Sequence, residues 1–150
     1  MANAYQYRFS QVMDIKEQEK NEAEMAYKES VTSFEEIATH MYDALKKKED
    51  LLAFQQEKMQ SGLSILEMHN YANFIDSMEK KIADLQEKVI QARSKMQWFE
   101  EKLLEVSLEF KKYEKMQERD YEAYQKEEDR LEMIQLDEIS QIAFYNKGVW

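Results

Sequence analysis

Apolar side chains recur along the second half of the chain at steps that alternate between four and three. Tyr71, Ile75, Met78, Ile82, Leu85, Val89, Ala92, Met96, Phe99, Leu103, Val106, Phe110 and Tyr113 keep this rhythm without a miss. A helix of about 3.6 residues per turn gathers such positions into one narrow stripe, and holding the rhythm over about six heptads specifies a left-handed coiled coil. The first half carries a thinner version through Tyr27, Val31, Phe34, Ala38, Met41, Leu45, Lys48 and Leu52, with Lys48 as its one polar member. A lysine there can lay its apolar stem along the seam and send its amine to water. Upstream the stripe weakens through Glu17, Lys20 and Glu24 before Phe9, Val12 and Met13.

Between the two stripes lies the one clear interruption, Met59 to Glu67. Gly62 can take the left-handed conformation that ends a helix, and Ser64 with Glu67 has the spacing of a capping box that starts another. The pattern predicts an all-α fold, a long antiparallel two-helix coiled-coil hairpin forming a single domain. Helix 1 is expected over about 5–60, the turn over 61–63 and helix 2 over about 64–145. At 1.5 Å per residue these helices are roughly 80 Å and roughly 120 Å long. Folding back at Gly62 pairs position i with about 125 minus i, so helix 1 runs out near residue 120 and the rest of helix 2 overhangs. Tyr124, Leu131 and Ile134 keep the stripe alive in that overhang among Gln117, Asp120 and Glu127. A helix that retains apolar positions beyond its own partner expects another one.

Composition supports helix and excludes much else. With two Gly and no Pro in 150 residues, the chain has almost no breakers for strands and tight turns. Its 12% aromatic content argues against disorder despite 35% charged residues. Without cysteine there is no disulfide, thiolate nucleophile or thiolate metal site. No stretch approaches the ~20 apolar residues that span a bilayer, and Met1 to Ser10 lacks the apolar centre of a secretory signal, so a cytoplasmic protein without direct membrane insertion is expected. The net charge of -10 argues against nucleic acid as a partner. Residues 121–150 carry 3 basic and 7 acidic side chains, the most acidic stretch per residue.

Candidate chemistry is sparse, and no enzyme activity, cofactor or metal is expected. His40 and His69 fall at outward positions in different helices without metal-ligand spacing, and carboxylate runs such as Glu127-Glu128-Asp129 read as a solvated helix face. More informative are large apolar residues off the stripe. Trp98 and Phe54 point away from it, while Phe74, Ile37, Tyr42 and Tyr121 flank it. An outward tryptophan on a polar coiled coil calls for a covering partner, either another protein or a second copy of the chain.

The segment Tyr7-Arg-Phe9-Ser-Gln-Val12-Met13-Asp-Ile15 and the stretch Gly62-Leu-Ser-Ile-Leu-Glu-Met-His-Asn-Tyr71-Ala-Asn-Phe74-Ile75 resemble the FliJ family of flagellar export proteins. The resemblance covers nearly the whole length. It implies a cytoplasmic, non-enzymatic stalk of the flagellar type III export apparatus, peripheral at the inner face of the cell membrane and similar to the central stalk of rotary ATPases. The implied partners are the export ATPase ring, the cytoplasmic domain of the export gate and export chaperones. By that similarity Phe74 belongs to a gate-contacting face, to which the outward Phe54 and Trp98 are assigned as well. Tyr7, Phe9, Val12, Met13, Tyr124, Leu131 and Ile134 are assigned to the ATPase side. The alternative is a homodimerising coiled-coil spacer unrelated to export.

Overall fold

The computed structural model describes residues 4–148 and contains two helices packed against each other, α1 (Ser10–Ser61) and α2 (Ile65–Gly148). The turn forms as its residues dictate. Gly62 has φ 94° with nothing near its Cα for a side chain to strike, so the backbone angle alone demands glycine there. The Oγ of Ser64 accepts a hydrogen bond from the Glu67 amide at 3.2 Å, and the Ser64 carbonyl accepts one from Met68 at 3.0 Å, which caps the start of α2. Glu67 in the first turn and Lys147 in the last oppose the helix dipole at both ends.

By contact the chain divides into two compact units, Asn21–Leu104 and the pair of segments Met1–Lys20 and Glu105–Trp150. In the first, the central unit, the helices run antiparallel. Phe54 faces Tyr71, Lys48 faces Glu79, Ala44 packs with Ile82 and Phe34 meets Arg93. The numbers of these partners add to 125, 127, 126 and 127, in line with the pairing expected for a fold at Gly62. On α2 every stripe position from Tyr71 to Leu103 is buried or half-buried.

On α1 the seam falls differently from the expected stripe. Leu45 and Leu52 are 36% and 41% exposed, whereas Ala44 is 7% and Ser30 5% exposed, and Leu51 and Ile37 are half-buried. The covered line is Ala23, Ser30, Ile37, Ala44 and Leu51, seven residues apart, beside the line of Tyr27, Phe34, Met41 and Lys48. Small side chains let the helix backbones approach, and the large Ile82 and Leu85 of α2 then fill the space over Ala44. Ser30 satisfies its hydroxyl locally, donating to the Tyr27 carbonyl at 2.6 Å. Lys48 does reach the surface, where its amine meets Glu79 at 3.3 Å.

In the second, the terminal unit, α1 begins at Ser10, five residues later than expected. The Ser10 amide donates to the Tyr7 carbonyl at 3.1 Å in a turn at Arg8 and Phe9. The residues before it form an extended strap along α2. Tyr5 donates its hydroxyl to Asp120 Oδ2 at 2.9 Å, and Tyr7 donates to the Tyr113 carbonyl at 3.3 Å. The Tyr5 ring sits 5.0 Å from Tyr121 and 5.1 Å from Tyr124, while Phe9 lies 6.3 Å from Tyr113. Helical φ and ψ would pull these rings off α2, so the aromatic contacts decide against helix there. Beyond Glu128 every described residue of α2, Asp129 to Gly148, is exposed.

Candidate partner-binding surfaces

Near the turn, both helices contribute to a shallow groove. Beside Ala44 and its partners lies a hollow lined by Met78 and Leu85, and Phe74 stands 59% exposed at its edge. His40, Lys47 and Lys81 flank the hollow, opposed by a single carboxylate, Asp43. Closer to the turn, Tyr71 and Phe74 line a second depression with Leu51, and Phe54 packs its ring 6.2 Å from Tyr71 with the Lys58 amine 5.5 Å away. Phe54, Tyr71 and Phe74 thus form a continuous aromatic region with cations around it.

Trp98 is not part of that region. It is separated from Phe74 by 24 residues of one helix, roughly 36 Å. Its ring packs edge-on against Phe99 at 5.0 Å and remains 59% exposed, and Ile90 and Leu104 are exposed too, about 80° and about 120° from it around α2. The three residues assigned together from sequence therefore occupy two places.

The residues assigned to the other end also separate. Tyr7 is buried, and Phe9, Val12 and Met13 are half-buried, all turned into the terminal unit. Tyr124 is half-buried beneath Tyr5. Loss of water contact, foremost, and then the Asp120 carboxylate push the Tyr5 hydroxyl up to about 12 from its usual 10.0. The Tyr7 and Tyr124 hydroxyls are raised mainly by the same loss of hydration. These tyrosines stay neutral donors at any physiological pH, and the strap keeps its hydrogen bonds. Leu131 and Ile134, by contrast, face solvent.

Sequence reasoning expected the overhang but missed the strap and most of the apolar residues exposed along the tail. Tyr5, Tyr7 and Phe9 are two residues apart, the period of an extended chain and not of a helix, and that spacing was the available signal. In the tail, Leu136, Ile139, Ile142, Phe144 and Tyr145 are all exposed. At about 100° per residue Leu131, Ile134, Ile142 and Tyr145 fall on one side, and Met133, Leu136 and Phe144 on the other. This helix is apolar on more than one face. At its root Arg130 pairs with Glu127, with Nη2 to Oε1 at 2.6 Å and Nε to Oε2 at 3.0 Å, and that guanidinium holds the Glu127 carboxyl below its usual range.

Among the described residues no group of three or more His, Asp or Glu side chains is placed to hold a metal ion, and no helix is long and apolar enough to cross a membrane.

The family model described as flagellar FliJ protein matches residues 5–149. A flagellar FliJ protein of Bacillus subtilis (strain 168) is 36% identical over 145 residues, covering 97% of this chain and 99% of that relative. No solved structure matches the chain.

Proposed function

The chain belongs to the FliJ family of flagellar proteins, and from that membership and its surfaces we propose that it is the non-catalytic stalk of the flagellar protein export apparatus. In this reading it binds the export ATPase ring through the terminal unit and the cytoplasmic domain of the export gate through the aromatic region near the turn. Export chaperones are its third class of partner. It works in the cytoplasm, at the inner face of the cell membrane.

The observation that carries the proposal is the tail. From Asp129 to Gly148 every described residue is exposed, and the helix presents Leu131, Met133, Ile134, Leu136, Ile139, Ile142, Phe144 and Tyr145 around its circumference. A helix with apolar side chains on several faces gains most from a partner that encloses it, and a ring of subunits does so. The strap then acts indirectly. Tyr7 and Phe9 hold the root of the tail to α1 and leave contact with the ring to Leu131, Ile134 and the residues after them. At the other surface, Phe74 with Phe54 and Tyr71 offers aromatic area beside Lys47, Lys58 and Lys81, which suits an apolar segment carrying carboxylates. Trp98 lies outside both surfaces and is left for a chaperone.

Mixing the full chain with the export ATPase of the same organism tests the proposal. Increased ATP hydrolysis and ring assembly that disappear when residues 129–150 are removed would support it, and neither binding nor stimulation by the full chain would overturn it. A homodimerising spacer is the second reading, motivated by the exposure of Trp98 with Ile90 and Leu104 on the outer faces of α2. It expects a concentration-dependent dimer by light scattering that Trp98→Ala returns to monomer.

A further inference from the structure

The terminal unit carries a second feature that the stalk reading does not use. On α2, Lys111, Lys112, Lys115 and Arg119 fall within about 60° of the line through Leu108, opposite the side on which Val106, Phe110 and Tyr113 pack. All four cations are exposed, and with Leu108 and Met116 they border one shallow groove. No carboxylate falls within this stripe between residues 108 and 119.

Such a concentration of positive charge runs against the rest of the molecule, whose net charge is -10. Elsewhere lysines meet carboxylates a turn away, as in Lys16–Glu19, Lys80–Asp76 and Lys88–Asp84. Here Lys111, Lys115 and Arg119 follow one another at four-residue spacing, a like-charge arrangement that weakens a helix. Glu114, Glu118 and Glu122 each stand three residues on, and Glu105 and Glu122 bound the stripe at its ends, but none of them closes an ion pair with these cations among the described residues. None of the four has an ion pair among the described residues, and Lys112 only lies 6.0 Å over the Tyr113 ring.

We propose that this basic track is a docking site for an acidic helix of a partner protein, one carrying carboxylates at i, i+4 and i+8. Such carboxylates recur every ~6 Å along a helix, the same step as Lys111, Lys115 and Arg119, so two helices laid side by side pair all three. An apolar residue of the partner lands on Leu108 and Met116. Charge and width choose this occupant over others. An anionic bilayer would find a single well-exposed apolar side chain, Leu108, to insert. A duplex nucleic acid is wider than the stripe and would meet the carboxylates on its borders, Glu114 and Glu118 on one side and Glu109 and Asp120 on the other. The partner is assigned to the export ATPase because the track and the exposed tail belong to the same unit, and this assignment rests on the proposed stalk function.

The test compares the full chain with its Lys111→Glu/Lys115→Glu/Arg119→Glu variant and with Lys111→Arg/Lys115→Arg, after circular dichroism has shown equal helix content. Binding to the export ATPase is measured across a salt series, with phosphatidylglycerol vesicles and duplex DNA as parallel probes. Charge reversal is expected to weaken ATPase binding on the order of tenfold or more at low salt and to flatten its salt dependence, while the arginine variant binds as wild type does. Equal affinity and equal salt slope for the reversed variant overturn the track while leaving the stalk reading intact. Failure of the wild-type chain to bind the ATPase overturns both. Binding of the wild type to vesicles or DNA with the affinity expected for the ATPase, lost on charge reversal, assigns the track to that polyanion and overturns the acidic helix.

Discussion

Two stretches of α2 contain comparable numbers of large apolar residues and meet opposite fates. From Tyr71 to Leu103 all but Phe74, Ile90 and Trp98 fall on one stripe and are covered by α1, with Ile82 and Leu85 buried beside Ala44. From Leu131 to Tyr145 they are spread around the helix and stand exposed. A single stripe can be satisfied by one neighbouring helix, whereas apolar side chains on several faces need an enclosing partner. Periodicity therefore says how many neighbours a helix needs, and amount of apolar surface alone does not.

If the first stretch holds the fold and the second waits for a partner, truncation must act oppositely in the two. Leu85→Ala in the seam is expected to cost about 2–5 kcal/mol of stability, and Leu136→Ala in the tail no more than about 0.5 kcal/mol, both read from urea denaturation of the free chain. Comparable losses at the two sites would break the comparison.

A smaller effect sharpens where the seam lies on α1. Ala44→Gly removes a buried methyl group from beside Ile82 and Leu85 and lowers helix propensity, and is expected to destabilise by about 1–2 kcal/mol. Leu45→Ala, one residue on, is expected to change the urea midpoint far less, although by hydropathy it is the more severe substitution. The turn comes next. Gly62→Ala forces a side chain into φ 94° and should cost about 1 kcal/mol without changing the denaturant slope.

The smallest effect concerns the strap. Tyr5 is held neutral with its hydroxyl raised from 10.0 to about 12, so its contribution is complete below pH 10 and is lost as pH rises through about 12. Phenolate absorbance should therefore report a group of tyrosines, Tyr5, Tyr7 and Tyr124, titrating later than the exposed ones, and Tyr5→Phe should reduce the amplitude of that late step by one tyrosine. A titration in which the Tyr5→Phe chain keeps the full late amplitude would contradict the Tyr5–Asp120 contact.

The helical hairpin was legible because its causes are local. Gly62 and Ser64 fix the turn, and the unbroken rhythm from Tyr71 to Tyr113 fixes the face of α2. The seam of α1 was legible only in part, because ranking by apolarity favours Leu45 and Leu52 while close helix approach favours the small Ala44 and Ser30. Volume against the opposite helix decided there, and a single helix does not display it. The strap was hidden by assuming helical period through residues whose aromatics alternate by two. Phe74 and Phe54 came out as one surface, but Trp98 did not join them, since outwardness is visible in a heptad and distance along the rod to another site requires both helices.

Backbone amide exchange along α2, followed in the free chain and again with the export ATPase added, tests the central claim most directly. In the free chain residues 71–103 should exchange slowly and residues 129–148 quickly, and the ATPase should slow the second group by orders of magnitude while barely changing the first. A tail already protected in the free chain, or one whose exchange the ATPase leaves untouched, would contradict the account.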